Sequence, residues 1–216
     1  MANNAYIGVD LGGTSLLAAV VDTVNGRIIG ESKRKTRPEL GATGVTNRLV
    51  RTIEKAIADA QLKREDIAGI GIGIPGPINP ETGVVVRCEN LGTSWEKFAL
   101  RNAIQASVDL PIFIDNDVNV GAVGEHAFGA GKGMNDMIAI FVGTGVGGGL
   151  ICGGKLYSGA RNSAGEVGHM VSQLIPAQYA AAARLVALKF FAAVQPLSAI
   201  FGRLLPPEQK VLCRVS

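Results

Sequence analysis

The sequence predicts an α/β fold, and three observations carry that prediction. Short β-branched and apolar runs alternate with one long segment of helical period. A strand–glycine turn–strand unit occurs twice, at Ile7 to Val20 and around Gly143-Thr144-Gly145. A run of polar and acidic residues, Asp115-Asn116-Asp117, directly follows an apolar strand, at the carboxyl end where open α/β sheets place ligands.

Taken in order, Ala5 to Asp10 reads as a strand by its apolar and β-branched content, and Leu16 to Asp22 as a second. The Gly12-Gly13-Thr14 turn between them offers backbone N–H groups with no side chain in the way, which suits phosphate oxygens. An ordinary hairpin turn is the plainer reading of a lone Gly-Gly-Thr, and Asp10 before it, able to hold Mg2+ or its waters, favours the phosphate reading. Asn25-Gly26 is a hairpin turn into a third strand, Arg27 to Lys33. Val45, Leu49, Ile53 and Ile57 recur at helical spacing and predict a helix over Thr43 to Ala60 with one buried face. Ile67 to Ile74 is a buried strand stopped by Pro75-Gly76-Pro77, and Val84 to Val86 a short strand after an Asn79–Gly83 turn. A helix is expected over Trp95 to Ala106, a strand over Pro111 to Ile114 and a helix over Val118 to Phe128, with His126 a surface residue. Met137 to Val142 and Gly149 to Cys152 are strands around the second glycine turn, which is expected to face the first across a cleft.

Composition narrows the function class. The chain has 216 residues, 47% of them hydrophobic and 18% charged, with a net charge of +3, too small to argue for nucleic acid or a membrane surface. Three widely spaced cysteines, Cys88, Cys152 and Cys213, show neither a disulfide framework nor a metal knuckle. The first residues lack the basic and apolar blocks of a signal peptide, so a cytoplasmic enzyme is the default. The composition changes abruptly near residue 171: 28 of the 29 glycines and 17 of the 18 acidic residues lie before it.

The motifs DLGGT (Asp10 to Thr14), GIGIPGPI (Gly71 to Ile78), ENL (Glu89 to Leu91), IDNDVN (Ile114 to Asn119), GTGVGGG (Gly143 to Gly149) and GEVGH (Gly165 to His169) resemble, in that order, those of ROK-family sugar kinases, most closely the bacterial glucokinase branch. The resemblance covers residues 5 to about 170, a little over half of a usual member. It implies an actin-like, ribonuclease-H-like ATPase fold, with the first lobe over residues 1–118 and the second beginning at 119–170. It also implies ATP-dependent phosphorylation of a hexose, glucose foremost. On this reading Asp117 is the general base, since phosphoryl transfer needs positioning, charge stabilisation and an acceptor for the hydroxyl proton. Capping of the following helix is the plainer role for Asp117. Asn116, with a donor and an acceptor, suits a sugar hydroxyl. By resemblance, Gly76, Asn90, Glu166 and His169 also contact the sugar, while Gly12, Gly13, Thr14, Thr144 and Gly145 hold the ATP phosphates and Asp10 orients Mg2+. Asn90 as a turn residue and Glu166 as a solvated charge are the plainer alternatives. In many members the histidine of the last motif joins three cysteines of a CxCGxxGC segment around a structural Zn2+, so His169 is a remnant ligand whose cysteines are absent here. Members are often homo-oligomers. Sugar-responsive repressors of the same family carry a helix-turn-helix before the first phosphate turn, and only four residues precede Ala5.

Residues 171–216 depart from the family, although Tyr179 to Val194 suits an alanine-rich helix. In a shifted reading frame the codon junctions from Tyr179 onward are compatible with CGCGxxGCLE, which points to a frame change between Val171 and Ile175. A genuine short variant is the alternative. Either way, a chain lacking most of the second lobe is expected to have impaired kinase activity or to be a sugar-binding remnant.

Overall fold

The computed structural model describes residues 4–142, 146–169 and 211–215, and two compact units divide between Val120 and Gly121. The expected helix at Tyr179 to Val194, the possible frame change, and Thr144 and Gly145 lie outside the described residues.

The first unit is built on a five-stranded sheet of β1 (Ala5–Leu11), β2 (Ser15–Asp22), β3 (Arg27–Lys35), β4 (Ile67–Ile74) and β8 (Ile112–Asn116), ordered β3-β2-β1-β4-β8. The first three strands form an antiparallel meander, and β4 and β8 add in parallel beside β1. A parallel neighbour requires a crossover, which α1 (Gly41–Asp59) and α2 (Leu100–Gln105) supply.

Strand alternation sorts the sheet into two faces. Ile7, Val9 and Leu11 of β1, with Leu16, Ala18 and Val20 of β2, point into the core with exposures of 5% or less, while Tyr6, Gly8 and Asp10 lie on the other face. Helix α1 buries Val45, Leu49, Ile53, Ala56 and Ile57, as its periodicity predicts. Its two buried threonines satisfy their hydroxyls internally: Thr46 Oγ1 donates to the Ala42 carbonyl at 2.8 Å and Thr52 Oγ1 to that of Arg48 at 2.8 Å.

Between β4 and β8 the helix expected over Trp95 to Ala106 is shorter. Thr93–Trp95 is a 3-10 turn, and Lys97 takes a left-handed conformation at φ 56°. Phe98–Ala99 (β7) then pairs with Val84–Val85 (β6), which also pairs with Ile78–Asn79 (β5). Only Leu100 begins the helix. Trp95 is fully buried and meets Phe98 edge-on at 5.5 Å, so the aromatic pair belongs to the core beneath this small sheet.

In the second unit, β9 (Met137–Val142) pairs antiparallel with β10 (Val146–Cys152), which pairs with β11 (Lys155–Leu156), and β12 (Val211–Val215) runs parallel to β9. Helix α3 (Asp117–Ala127) crosses the division between the units. His126 near its end is half-buried, and its Nε2 lies 2.7 Å from the Met134 carbonyl oxygen, so it is tied to the following loop and not a plain surface residue. Among the described residues, no helix is long and apolar enough to cross a membrane.

Candidate functional site

The carboxyl ends of β1, β4 and β8 bring four of the sequence motifs together. The strand register places Asp10 beside Gly73 and Gly73 beside Asp115, on one row of one sheet face. Helix α3 starts directly over that row: a Cβ at Gly73 would stand 3.2 Å from Asp117 Cα. Glycine at 73 therefore lets the first turn of α3 settle on β4, with Asp117 above the row and its side chain exposed.

The expected helix cap falls on a different residue. Asn116 Oδ1 accepts the Val118 and Asn119 N–H groups at 2.9 and 3.3 Å, so Asn116 is the N-cap of α3 and Asp117 its first residue. Asn116 Nδ2 donates to the Gly76 carbonyl at 3.3 Å, linking β8 to the Pro75-Gly76-Pro77 turn. Asp115 Oδ1 accepts the Asn116 N–H at 2.6 Å and the buried Asn119 Nδ2 at 3.0 Å. Sequence reasoning passed over Asn119, and its spacing four residues after Asp115 was the available signal.

Gly76 is required by geometry. Its φ is +91°, and a Cβ would stand 2.7 Å from the Arg87 carbonyl oxygen. The residues that crowd it, Arg87 and Cys88, lead straight into Asn90. Asn90 in turn rests on the glycine turn: a Cβ at Gly13 would lie 3.3 Å from the Asn90 carbonyl oxygen and 3.4 Å from its Cβ. The Glu89–Leu91 segment and the Gly12–Thr14 turn are thus in contact.

Within that turn the Gly12 N–H donates to the Ser15 carbonyl at 3.0 Å and is used internally. The Gly13 and Thr14 N–H groups have no hydrogen-bond partner among the described residues. They are the donors the turn can offer an anion.

The electrostatics centre on Asp10. It is an exposed residue, yet protein atoms behind its carboxylate raise its pKa, the like charge of Asp117 raises it further, and Lys33 pulls it back. The folded chain therefore holds this proton more tightly than the unfolded one. That contribution to stability is present below the ordinary value of 3.8 and is lost as pH rises through the higher folded value. Asp10→Asn is expected to remove this slope and raise the melting temperature at neutral pH, as thermal melts across the acid range would show. Cys88 is buried, and burial raises its thiol pKa to about 11 despite N–H donation from Leu91 and Asn90. Site-resolved alkylation at neutral pH should modify exposed Cys152 and leave Cys88 intact until the chain unfolds.

In the second unit, GEVGH folds back onto β10. The Gly148 N–H donates to the Gly165 carbonyl at 2.8 Å, and Gly168 abuts the Val146 carbonyl. Glu166 and His169 are thereby anchored to the strand that follows the second glycine turn. Val167 is buried and Glu166 exposed.

The metals fit unequally. Two carboxylates close enough to raise a pKa, Asp10 and Asp117, form an arrangement a divalent cation relieves, so Mg2+ held through Asp10 is compatible. For a Zn2+ site of one histidine and three cysteines, the sequence offers only Cys213 after His169.

The sequence pattern of the ROK family matches residues 6–184. A glucokinase from Halalkalibacterium halodurans is 35% identical over 170 residues, 79% of this chain and 51% of the relative. A xylose repressor from Caldicellulosiruptor bescii is 37% identical over 165 residues, 76% of this chain and 41% of the repressor. Among solved structures, a ROK family glucokinase from Streptomyces griseus in complex with glucose and AMPPNP superposes with a TM-score of 0.69 at 36% identity, covering 78% of this chain and 51% of that one. The chain spans about half the length of the curated glucokinase it matches. The architecture is accordingly the actin-like ATPase fold of sugar kinases, with the second lobe only partly covered, and this chain belongs to the ROK family.

Proposed function

We propose that this chain carries the sugar-binding and proton-accepting part of an ATP-dependent hexose kinase that converts glucose to glucose 6-phosphate. The observation that supports it most is the placement of Asp117: exposed, at the start of α3, over Gly73 and beside Asp10. The Asn90–Gly13 contact adds to it by joining the sugar motif to the phosphate turn.

In this reading the Asp117 carboxylate accepts the proton of the sugar 6-hydroxyl while that oxygen forms a bond to the γ-phosphorus of ATP. The bond from that phosphorus to the leaving ADP oxygen breaks in the same displacement. Gly13 and Thr14 donate N–H groups to the phosphates. Gly76, Asn90 and Asn116 shape the sugar side. Mg2+ at Asp10, when bound, supplies positive charge to the transferring phosphoryl group.

Incubation with γ-labelled ATP and glucose tests the proposal: label should appear in glucose 6-phosphate, and none would appear in a chain that only binds. The similarity to a xylose repressor favours a second reading, a sugar-responsive regulator. Xylose has no 6-hydroxyl to phosphorylate, so tight xylose binding without transfer to glucose would support that reading. N-acetylmannosamine or fructose as the accepted sugar would be shown by the same label.

A further inference from the structure

Residues 77–87 form a hairpin whose feet lead into two sugar-side residues, Gly76 at one foot and Asn90 just past the other. A ladder of contacts joins the feet to the tip. Gly76 abuts the Arg87 carbonyl, the Val86 N–H donates to the Pro77 carbonyl at 2.9 Å, β5 pairs with β6, and the Gly83 N–H donates to the Asn79 carbonyl at 2.8 Å. Asn79 Oδ1 also accepts the Glu81 and Thr82 N–H groups, at 3.0 and 3.1 Å, which shapes the tip. A displaced tip therefore displaces both feet.

Strands β5, β6 and β7 have two residues each, too few to hold this ladder in one orientation unaided. Arg101 of α2 supplies the missing hold. Its Nη1 donates to the Glu81 carbonyl and its Nη2 to the Pro80 carbonyl, both at 2.5 Å, and a Cβ at Gly83 would run into the Arg101 Cβ. Behind it, the fully buried Leu100 and Ile104 anchor α2 in the core. The placement is costly. Arg101 is half-buried, forms no ion pair among the described residues, and keeps its Nε buried without a partner among them. Hydrogen bonds from a charged donor are about twice as strong as neutral ones, and the planar fork of arginine reaches two carbonyls at once.

We propose that Arg101 is a positioning residue for sugar binding: by pinning the hairpin tip to α2 it presents Gly76 and Asn90 together to the hexose. The inference rests on reading those two residues as the sugar side. Arg101 makes its contacts at the tip, the opposite end of the hairpin from the feet, so it acts on affinity through them and not on the transfer step.

The test compares the full chain with Arg101→Met, which keeps an apolar stem and removes the donors, and Arg101→Lys, which keeps the charge without the fork. Calorimetric titration with glucose should show about tenfold weaker binding for Arg101→Met and an intermediate loss for Arg101→Lys. Labelled-phosphate transfer at saturating glucose should match the wild type, so that the change falls on KM and not on kcat. In the 15N-labelled chain without ligand, the amide signals of Gly76 and Asn90 should move in Arg101→Met while those of Ile7 and Leu49 in the core stay in place. Asn79→Ala loosens the tip without touching α2 and should reproduce both effects, which decides the matter if Arg101→Met fails to fold. Wild-type glucose affinity in these variants, or a loss of kcat as large as the loss of affinity, would overturn the proposal. Ligand-free shifts confined to the tip would also overturn it and leave the sugar reading standing. A wild type that binds no glucose removes the sugar reading and the role in affinity, while the ligand-free shifts at Gly76 and Asn90 still show whether Arg101 holds the feet.

Discussion

Asp117→Asn is expected to slow phosphoryl transfer to glucose by about 10²–10⁴-fold while leaving glucose affinity within a few-fold. The substitution keeps size and shape, so the geometry should survive. An amide oxygen can still accept the Val118 N–H that Asp117 Oδ1 now takes at 2.9 Å, and the cap on α3 belongs to Asn116. Loss of an acidic residue from the first helical turn costs about 0.3–1 kcal/mol, too little to unfold the unit. What disappears is the acceptor for the hydroxyl proton. A second signature accompanies it: removing the like charge should lower the Asp10 pKa, so the acid-range stability slope should shrink. Labelled-phosphate transfer and melts on the same samples give both readings. A variant with wild-type transfer would remove Asp117 from the chemistry.

The largest expected loss of structure comes from Gly165→Ala in the second unit. Gly165 has φ +86°, and a Cβ there would run into the Gly148 carbonyl oxygen. The same residue's carbonyl accepts the Gly148 N–H at 2.8 Å and the Val167 N–H at 2.6 Å, so the backbone cannot withdraw without losing both. Strain and lost hydrogen bonds together should cost about 3 kcal/mol or more. Because Glu166 and His169 hang from this contact, their segment should detach from β10, seen as faster amide exchange at Gly148 and Val167. Native melting and exchange in the variant would mean that the close approach is not needed.

Much of the fold was legible because its signals are local. Ile67–Ile74 and Met137–Val142 are apolar runs with clear punctuation, and the structure ends them at the predicted residues. The helix predicted from Trp95 failed because a left-handed Lys97 breaks the segment, and lysine gives no warning of that conformation. Asn116 shows a different limit. Its donor and acceptor suggested a sugar hydroxyl, but the fold engages the acceptor with the α3 N–H groups and the donor with Gly76. A polar residue just before a helix has two possible uses, and composition does not choose between them. The Gly73–Asp117 and Gly13–Asn90 approaches were not legible at all. They depend on parallel pairing and loop packing between distant segments, which no short motif encodes.

The central claim is that the ends of β1, β4 and β8 form a sugar site next to a phosphate turn. Titrating glucose into the 15N-labelled chain, with amide shifts followed by NMR, tests it most directly. The account predicts saturable shifts at Gly76, Asn90, Leu91, Asn116, Asp117 and Val118, with Ile28 and Ile29 at the other end of the sheet unmoved. Absent shifts at saturating glucose, or shifts confined to residues away from these strand ends, would contradict it.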